Sequence, residues 1–249
     1  MSAEAPPPEL HLILMSRAPV AGETKTRLSP PLKPEEARNF HVACLSDLLE
    51  AAADWRSRRA RQGNASQLHL FVEPPGSQAS FRAAAIRWPD GLHVADQAGE
   101  TLGRRMERAI VSVLQRAEAG KNPRVVLVGS DLPLLGPEHF DEAAAALEHA
   151  DVAFGPTPDG GYYLVAVKGS PAGLFELTEW SGAAVLEKSL HAAQGLGLRT
   201  ALISALPDVD TAADFRAVLA HPLARELSGR RSVRFIEEWV ARHAPAAGE

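Results

Sequence analysis

The sequence predicts a three-layer α/β/α fold built on a mostly parallel sheet. Strand-length apolar runs alternate with helical patterns along the chain, which favours parallel strands joined by crossover helices. The run from Val125 to Val128 is apolar throughout and is followed by Gly129-Ser130-Asp131, as is typical of a central strand buried on both faces. A length of 249 residues is near the upper limit for one hydrophobic core. We therefore expect a single domain with a core over about 10–221 and a C-terminal helical annex over 222–249.

Composition excludes several classes of function. The net charge of −5 gives no overall electrostatic footprint for nucleic acid or an anionic membrane. The single cysteine, Cys44, cannot form an internal disulfide and suits a reducing compartment. No apolar run approaches the length of a membrane span, and the first nine residues do not resemble an export signal. We expect a cytoplasmic protein without nucleic-acid or membrane partners, and the oligomeric state stays open.

Hydrophobic periodicity places the individual elements. Strands are predicted at 10–15, 68–72, 92–95, 125–128, 151–155, 162–167 and 198–203. Helices are predicted at about 34–54, 77–85, 101–117, 137–147, 182–194, 211–218 and 233–241. Cys44 falls on the inward stripe of the first helix and is expected in the core. The basic segment 56–66 is expected to be a solvated loop, and Thr211 is expected to cap the helix that follows it.

Four loops at strand ends are predicted to converge on one edge of the sheet, where ligands bind in open α/β folds. They are 17–27, 97–105, 130–131 and 208–210. The first carries Arg17, Lys25 and Arg27, and Gly22 in it would allow close approach of the backbone to a ligand. Such cations suit a di- or triphosphate. The loop is not a Walker loop, because the second glycine before the lysine is missing.

Carboxylates at the same edge suggest a metal. Asp131, together with Asp208 or Asp210, could hold Mg²⁺, which takes one or two carboxylates beside phosphate oxygens and water. Taken singly, Asp131 could instead cap the following turn and Asp208 could be a turn residue. Their joint placement beside a cationic loop favours the metal. The nine histidines show no zinc-type pairing, and Ser130 lacks the Gly-x-Ser-x-Gly context of a hydrolase nucleophile.

An ordered set of motifs between about Leu10 and Leu219 carries a family resemblance. The set comprises Arg17-Ala18-Pro19 with Gly22, Lys25-Thr26-Arg27-Leu28 and Pro30; Gly99 with Leu102-Gly103 and Arg105-Met106; Gly129-Ser130-Asp131 with Pro133; Gly155-Pro156 with Asp159-Gly160-Gly161-Tyr162-Tyr163-Leu164; Trp180-Ser181; and Asp208-Val209-Asp210-Thr211. Together these resemble the bacterial arsenosugar-biosynthesis or selenodomain-associated glycosyltransferases. That family has a GT-A fold, of the nucleotide-diphospho-sugar transferase type, similar to molybdenum-cofactor and phospholactate guanylyltransferases.

The resemblance implies a role for each group of residues. Arg17, Gly22, Lys25 and Arg27 would hold phosphates, with Ser130 also on the nucleotide side, and Gln97 and Gly103 would lie near the base or ribose. Asp131 with Asp210, and Asp208 beside them, would hold Mg²⁺ or Mn²⁺, with Asp131 and Lys25 as the catalytic groups. Asp159, Gly160 and Gly161 would shape the acceptor side, although the same motif also suits a plain hairpin turn. Tyr162, Tyr163 and Trp180 are expected to be packing residues.

Three functions are compatible with these residues. The first is a metal-dependent glycosyltransferase with a nucleotide-sugar donor and a small-molecule acceptor, which the family name favours. The second is a nucleotidyltransferase that releases pyrophosphate from a nucleoside triphosphate, which the cationic loop favours. The third is a nucleotide-binding regulatory module without turnover; retention of the metal aspartates argues against it.

Overall fold

A computed structural model of the chain describes residues 8–117, 122–170, 172–177, 179–180 and 182–243. Its seven strands form one sheet in the order β3-β2-β1-β4-β6-β5-β7. The strands are β1 (Leu10–Arg17), β2 (Ser66–Glu73), β3 (Leu92–Asp96), β4 (Arg124–Gly129), β5 (Val152–Pro156), β6 (Tyr162–Lys168) and β7 (Thr200–Leu202). Strand β6 pairs antiparallel with both β4 and β5, whereas the other pairings are parallel. The predicted mostly parallel sheet is confirmed.

The antiparallel strand has a local cause. Only five residues separate β5 from β6, too few for a crossover, and their turn closes with a hydrogen bond from the Thr157 amide to the Gly161 carbonyl. Gly160 in this turn has a φ of +89°, a conformation that favours glycine. The Asp159-Gly160-Gly161 motif therefore does form a hairpin turn, and this turn lies at the edge where the parallel strands end.

Eight helices lie on the two faces of the sheet among the described residues. They are α1 (Pro34–Arg61), α2 (Gln78–Ala83), α3 (Leu102–Leu114), α4 (Pro137–His149), α5 (Val185–Gly195), α6 (Asp214–Ala220), α7 (Leu223–Glu226) and α8 (Arg231–Arg242). Buried residues of α3 and α5 belong to one apolar cluster, and those of the other helices to a second. The chain therefore has the predicted three layers. None of these described helices is both long and apolar enough to cross a membrane.

Alternation along the strands divides the core between those two clusters. In β1, Leu12 and Leu14 point to the cluster beneath α1 and α4, whereas Ile13 and Met15 point to the cluster beneath α3. Both sets are buried, so β1 is covered on both faces, as is β4 beside it. Cys44 is buried on α1, as predicted.

Several boundaries differ from expectation. The segment 56–66 is not a loop, since α1 continues to Arg61. The helix end predicted at about residue 54 was too early, because Trp55 lies within α1 and is buried against Phe140. Thr211 does not cap α6, which begins at Asp214. Instead the Asp214 carboxylate accepts hydrogen bonds from the Thr211 amide and hydroxyl. The short helix α7 was not predicted. Ser181 lies outside the described residues. Residues 244–249, at the end of the expected annex, lie outside them as well.

The strand directions bring four loops to one edge of the sheet. Strands β1, β3, β4 and β7 all run in the same direction, so the loops that leave them lie at the same edge. We call this the carboxyl edge. In open α/β sheets it is the edge at which ligands bind.

Candidate active site

The loop after β1 is a compact structure that turns its cations toward the carboxyl edge. Gly22 adopts a φ of +81°, and the Thr24 hydroxyl donates a hydrogen bond to the Ala18 carbonyl across the loop. Lys25 is itself in the left-handed region, with φ 56° and ψ 39°, and precedes a single 3₁₀ turn over Thr26–Leu28. A left-handed lysine is uncommon, and such conformations cluster at functional sites.

Lys25 joins two of the predicted aspartates. Its ammonium Nζ lies 3.0 Å from Oδ2 of Asp131 and 3.9 Å from Oδ1 of Asp210, and it also donates to the Val209 carbonyl. The Lys25 side chain is only 6% exposed. Arg27 Nη1 binds the other Asp210 oxygen, Oδ2, at 2.9 Å. The structure therefore brings together the cationic loop after β1 and the strand ends that the sequence placed at one edge.

The Asp210 segment is fixed by the helix that follows it. The Asp214 carboxylate accepts the Asp210 amide at 3.0 Å, in addition to its bonds with Thr211. A carboxylate in this position at a helix start satisfies backbone donors that would otherwise lack partners. These hydrogen bonds fix the backbone from which the Asp210 side chain extends.

His41 is a member of the site that the sequence prediction missed. It lies on α1 with its side chain 2% exposed, and its Nδ1 is 3.2 Å from Oδ1 of Asp131. Its Nε2 lies 3.0 Å from the Arg17 carbonyl. The imidazole thus bridges the Asp131 carboxylate and the end of β1. The available signal was the position of His41 on the inward stripe of α1, between Ala37 and Cys44, where an apolar residue is expected.

Asp131 is consequently held as an anion. Partial burial opposes its charge, but the ammonium of Lys25 and the His41 ring more than compensate and hold the pKa of Asp131 well below its usual range. Its side chain nonetheless remains 43% exposed, so it is accessible to a ligand. An anionic, accessible carboxylate at the end of a central strand is suited to hold a cation.

The donor set fits a hard divalent metal that is completed by a ligand. Asp131, Asp210 and the Val209 carbonyl present oxygens around one point, the Lys25 ammonium, and oxygens are the donors that Mg²⁺ and Mn²⁺ prefer. No group of three or more His, Cys, Asp or Glu side chains within the described residues could hold a metal. A metal here would therefore need phosphate oxygens or water in addition to the two carboxylates.

A cavity of about 310 Å³ adjoins this cluster. Its lining combines charged side chains with apolar ones. The charged residues are Arg27, Asp159, Asp208 and Asp210, and the largely apolar ones are Leu102, Met106, Tyr162, Trp180 and Val185. A volume of this size is at the lower end of the range for small-molecule sites. The cavity is lined by the β5–β6 hairpin, whose residues Asp159, Gly160 and Gly161 were predicted to shape the acceptor side.

Three carboxylates, those of Asp159, Asp208 and Asp210, line the same cavity. Burial, followed by the neighbouring charges of Asp159 and Asp210, raises the pKa of Asp208 to about 6. Asp159 is fixed by the Gly161 amide at 3.0 Å and by the Thr157 hydroxyl. Gly160 packs so closely on Ala183 that an added Cβ would lie 2.1 Å from its carbonyl oxygen. The hairpin thus presents Asp159 to the cavity from a rigid position.

The remaining predicted nucleotide residues lie farther from the Lys25 cluster. Arg17 pairs with Glu73 at 3.4 Å, and Arg105 binds the other Glu73 oxygen. Gln97 is buried and donates its amide to the carbonyls of Phe71 and Ser16. These contacts tie the ends of β1, β2 and β3 together. Neither Arg17 nor Gln97 contacts Asp131 or Lys25.

Gly103 and Ser130 have mainly packing environments. A Cβ at Gly103 would lie 2.4 Å from the Phe175 carbonyl and from the Trp180 ring, so glycine allows α3 to approach that segment. Ser130 is buried beside Asp131. Tyr163 is a packing residue, as expected, with its hydroxyl bonded to the Ser204 carbonyl, whereas Tyr162 and Trp180 also line the cavity.

Comparison with known proteins identifies both a family and a fold. A family model described as "Uncharacterized protein conserved in bacteria (DUF2064)" matches residues 57–182, about half of the chain. No curated protein matches the sequence.

Solved structures give a closer view. A provisionally assigned nucleotide-diphospho-sugar transferase from Desulfovibrio desulfuricans G20 is 26% identical and superposes over 93% of this chain and 95% of its own, with a TM-score of 0.76. The 4-diphosphocytidyl-2C-methyl-D-erythritol synthase from Anaerococcus prevotii DSM 20548 is 9% identical over 94% of this chain and 97% of its own, with a TM-score of 0.52. A manganese complex of Rv0371C from Mycobacterium tuberculosis H37Rv is 18% identical over 85% of this chain and 98% of its own, with a TM-score of 0.43.

The likeness to the Desulfovibrio protein confirms the predicted fold class, that of nucleotide-diphospho-sugar transferases, and agrees with the predicted enzyme class, a nucleotide-dependent transferase.

Proposed function

The chain belongs to the DUF2064 family of bacterial proteins, and from that premise we propose that it is a metal-dependent transferase with a nucleotide-sugar donor and a small-molecule acceptor. The observation that carries the proposal is the convergence of Lys25, Asp131 and Asp210 at the carboxyl edge, beside a cavity with a mixed polar and apolar wall. The likeness to the Desulfovibrio protein supports the donor class.

The proposed chemistry assigns each group a task. Arg27 and Lys25 would bind the diphosphate, which is the leaving group of glycosyl transfer, and stabilise its developing charge. Asp131 and Asp210 would hold Mg²⁺ or Mn²⁺. When bound, the ion supplies further neutralisation of phosphate charge without a proton. His41 would keep the Asp131 carboxylate oriented through its Oδ1.

The cavity would receive the acceptor. Asp159 and Asp208 can accept hydrogen bonds from acceptor hydroxyls, while Tyr162 and Trp180 can pack against its apolar faces. Because the hairpin of Asp159 is rigid, the acceptor would be positioned relative to the donor with little motion. Arg17, Gln97 and Gly103 would act farther out, on the nucleoside side.

Two finer proposals accompany the first. The motif set from Arg17 to Thr211 supports placing the chain among the arsenosugar-biosynthesis or selenodomain-associated glycosyltransferases. We further propose that 10–221 and the helical annex fold as one domain, because α8 packs on α1 and both contribute to one apolar cluster. The single cysteine, which cannot form an internal disulfide, supports a cytoplasmic location for it.

A second candidate function is nucleotidyl transfer. The loop that carries Lys25 and Arg27 lies directly against Asp131 and Asp210, an arrangement that also suits a triphosphate with pyrophosphate as leaving group. The two reactions differ in the bond that is broken. Glycosyl transfer releases a nucleoside diphosphate, whereas nucleotidyl transfer releases pyrophosphate.

Product identification separates these functions. The protein is incubated with Mn²⁺, a mixture of small hydroxylated acceptors and either a panel of nucleotide-sugars or the four nucleoside triphosphates. We expect a nucleoside diphosphate from one nucleotide-sugar, and no product with the Asp131→Asn variant. Pyrophosphate from a triphosphate would favour the second function. Metal-dependent nucleotide binding without product from any mixture would instead indicate a regulatory binding module.

A further inference from the structure

We propose that the Lys25 ammonium is a placeholder for the divalent cation, so that metal enters the site together with the phosphates of the nucleotide and not before them. The inference rests on the proposed function and concerns the order in which its two ligands bind. It assigns Lys25 a task in the ligand-free protein, in addition to its expected contact with phosphate.

The position of the ammonium is the first argument. Nζ lies 3.0 Å from Asp131 Oδ2 and 3.9 Å from Asp210 Oδ1, and it donates to the Val209 carbonyl. These three oxygens are the donor set that fits a metal. With 6% exposure, the side chain fills the space between them. A cation therefore already occupies the point at which the donors converge.

The other oxygens of the two carboxylates are already bound. His41 lies 3.2 Å from Oδ1 of Asp131, and Arg27 binds Oδ2 of Asp210 at 2.9 Å. Each carboxylate consequently has one oxygen bound by another side chain and one directed to Lys25. A metal that uses both carboxylates must take the oxygens that Lys25 now holds.

Charge then determines the order of binding. A bare divalent ion would approach a site in which each carboxylate is neutralised, and it would displace an ammonium that gains no new partner. Removing a buried ion from its partners without replacement is costly. A diphosphate offers oxygens both to the metal and to the displaced ammonium. Because Lys25 belongs to the same loop as Arg27, its long side chain can follow the phosphates without leaving the site.

The test measures Mn²⁺ binding without any nucleotide. Free Mn²⁺ is titrated by electron paramagnetic resonance against the wild type, Lys25→Met, Lys25→Arg and Lys33→Met. Lys33 is exposed at the start of α1 and provides a control with the same loss of charge. We expect Lys25→Met to bind Mn²⁺ alone ~10- to 100-fold more tightly, in the usual range of coupling between two sites. Lys25→Arg and Lys33→Met should bind it as weakly as the wild type.

A thermal-shift series tests the other half of the inference, with inorganic pyrophosphate as the phosphate probe. In the wild type, Mn²⁺ and pyrophosphate together should raise the unfolding midpoint by more than the sum of their separate shifts. In Lys25→Met that excess should shrink, because Mn²⁺ no longer depends on phosphate. Lys25→Gln replaces Lys25→Met if the latter does not fold.

Each result has one meaning. If the wild type and Lys25→Met bind Mn²⁺ alone with equal affinity, the placeholder proposal is wrong. The proposed function stands in that case if nucleotides still bind. Equal gain in Lys33→Met also overturns it, since the effect would then be one of net charge. Absence of any response to Mn²⁺, pyrophosphate and nucleotides in all variants would overturn the proposed function itself.

Discussion

Two regions of the sheet gather titratable side chains, and they differ in the charge that the central side chain carries. At the carboxyl edge, Lys25 and His41 both bind the anionic carboxylate of Asp131 beside an open cavity. In the amino-terminal half of the parallel strands, three histidines form a row that lies away from this cavity. We call His11, His69 and His93 the histidine row.

The histidine row crosses three adjacent strands. His11 Nδ1 lies 3.2 Å from His69 Nε2, and the His69 and His93 rings stack at 5.3 Å between centroids. Burial is the main reason that the pKa of His69 falls to about 3, with further lowering by the neighbouring histidines. His69 is therefore neutral in the folded protein at any physiological pH. A histidine in this state packs as a polar core residue.

The difference shows how a binding site can be told from a structural polar cluster. Both regions perturb pKa values strongly, so a perturbed pKa by itself does not identify function. The carboxyl edge holds charges whose partners can be exchanged for those of a ligand. The histidine row holds His69, which is neutral, between the rings of His11 and His93. Variants and pH changes should thus alter activity at the first region and stability at the second.

The largest expected effect is on turnover. Asp131→Asn keeps the shape of the side chain but removes the charge that pairs with Lys25 and that is proposed to hold the metal. We expect turnover to fall on the order of 10²- to 10³-fold or more, as when one electrostatic group of an active site is removed. The control is Asp151→Asn, which removes an aspartate paired with Arg199 at the start of β5, away from the site. Equal losses in both variants would show that the effect is not local to the carboxyl edge.

The histidine row should make stability fall on acidification. The unfolded chain takes up a proton at each histidine below pH ~6.5, but folded His69 does so only at a pKa of about 3. Between these values the unfolded state binds more protons, so stability is lost as pH decreases. From pH 7.5 to pH 5 the loss at His69 amounts to about 2 kcal/mol. Urea unfolding at the two pH values measures it.

The matched variant is His69→Gln, which retains a polar partner for His11 but does not titrate. It should lose less stability than the wild type over the same pH interval. An unchanged pH slope in this variant would assign the acid sensitivity to other groups.

Sequence alone predicted most of what depends on local pattern. The apolar run of β4 and the residues that close it predicted a buried strand with Asp131 at its end, and the cations of the first loop predicted a phosphate ligand. For the Asp159-Gly160-Gly161 motif a hairpin turn was one of two interpretations, and the structure contains that hairpin. These features depend on neighbours in the chain, so periodicity and turn chemistry are sufficient to find them.

The remainder depends on contacts between distant residues. His41 could be recognised only as a polar residue on an apolar stripe, because its partner Asp131 is 90 positions away. The end of α1 was placed too early because the packing of Trp55 on Phe140 is a tertiary contact. The position of Lys25 between two carboxylates likewise depends on strand order, which a single sequence does not specify.

The C-terminal helix provides a third, smaller effect at the carboxyl edge. Arg230, just before α8, donates to the carbonyls of Pro133 at 3.0 Å and Leu135 at 2.7 Å, in the loop that follows Asp131. Arg230→Met keeps the aliphatic stem but leaves both carbonyls without this donor. We expect a loss of about 1.5 kcal/mol in the free energy of unfolding. Turnover should also fall, by less than in Asp131→Asn, because the loop and not the carboxylate is affected.

Arg234→Met is the matched control, since Arg234 is an exposed arginine one turn farther along α8. A stability loss without any change in turnover would restrict Arg230 to a structural role.

The smallest effect has the opposite sign. Asp208 lies in the cavity wall with a pKa raised to about 6 by burial, Asp159 and Asp210. A carboxyl group whose folded pKa exceeds its unfolded value of ~3.8 stabilises the fold at low pH, and that stability is lost as pH rises through about 6. Above pH 7 the ionised Asp208 therefore costs stability. We expect Asp208→Asn to raise the free energy of unfolding by about 1 kcal/mol at pH 8 and by less at pH 5.

A gain in stability together with a loss of turnover would identify Asp208 as a charge retained for ligand binding, since active sites commonly sacrifice stability in this way. The histidine row provides the contrast, because His69 is neutral at pH 8 and its replacement should give no such gain. Equal stability of wild type and Asp208→Asn at pH 8 would remove Asp208 from the comparison and leave Asp131 and Asp210 as the carboxylates of the site. Unfolding curves at pH 8 and pH 5, measured beside turnover, decide between these results.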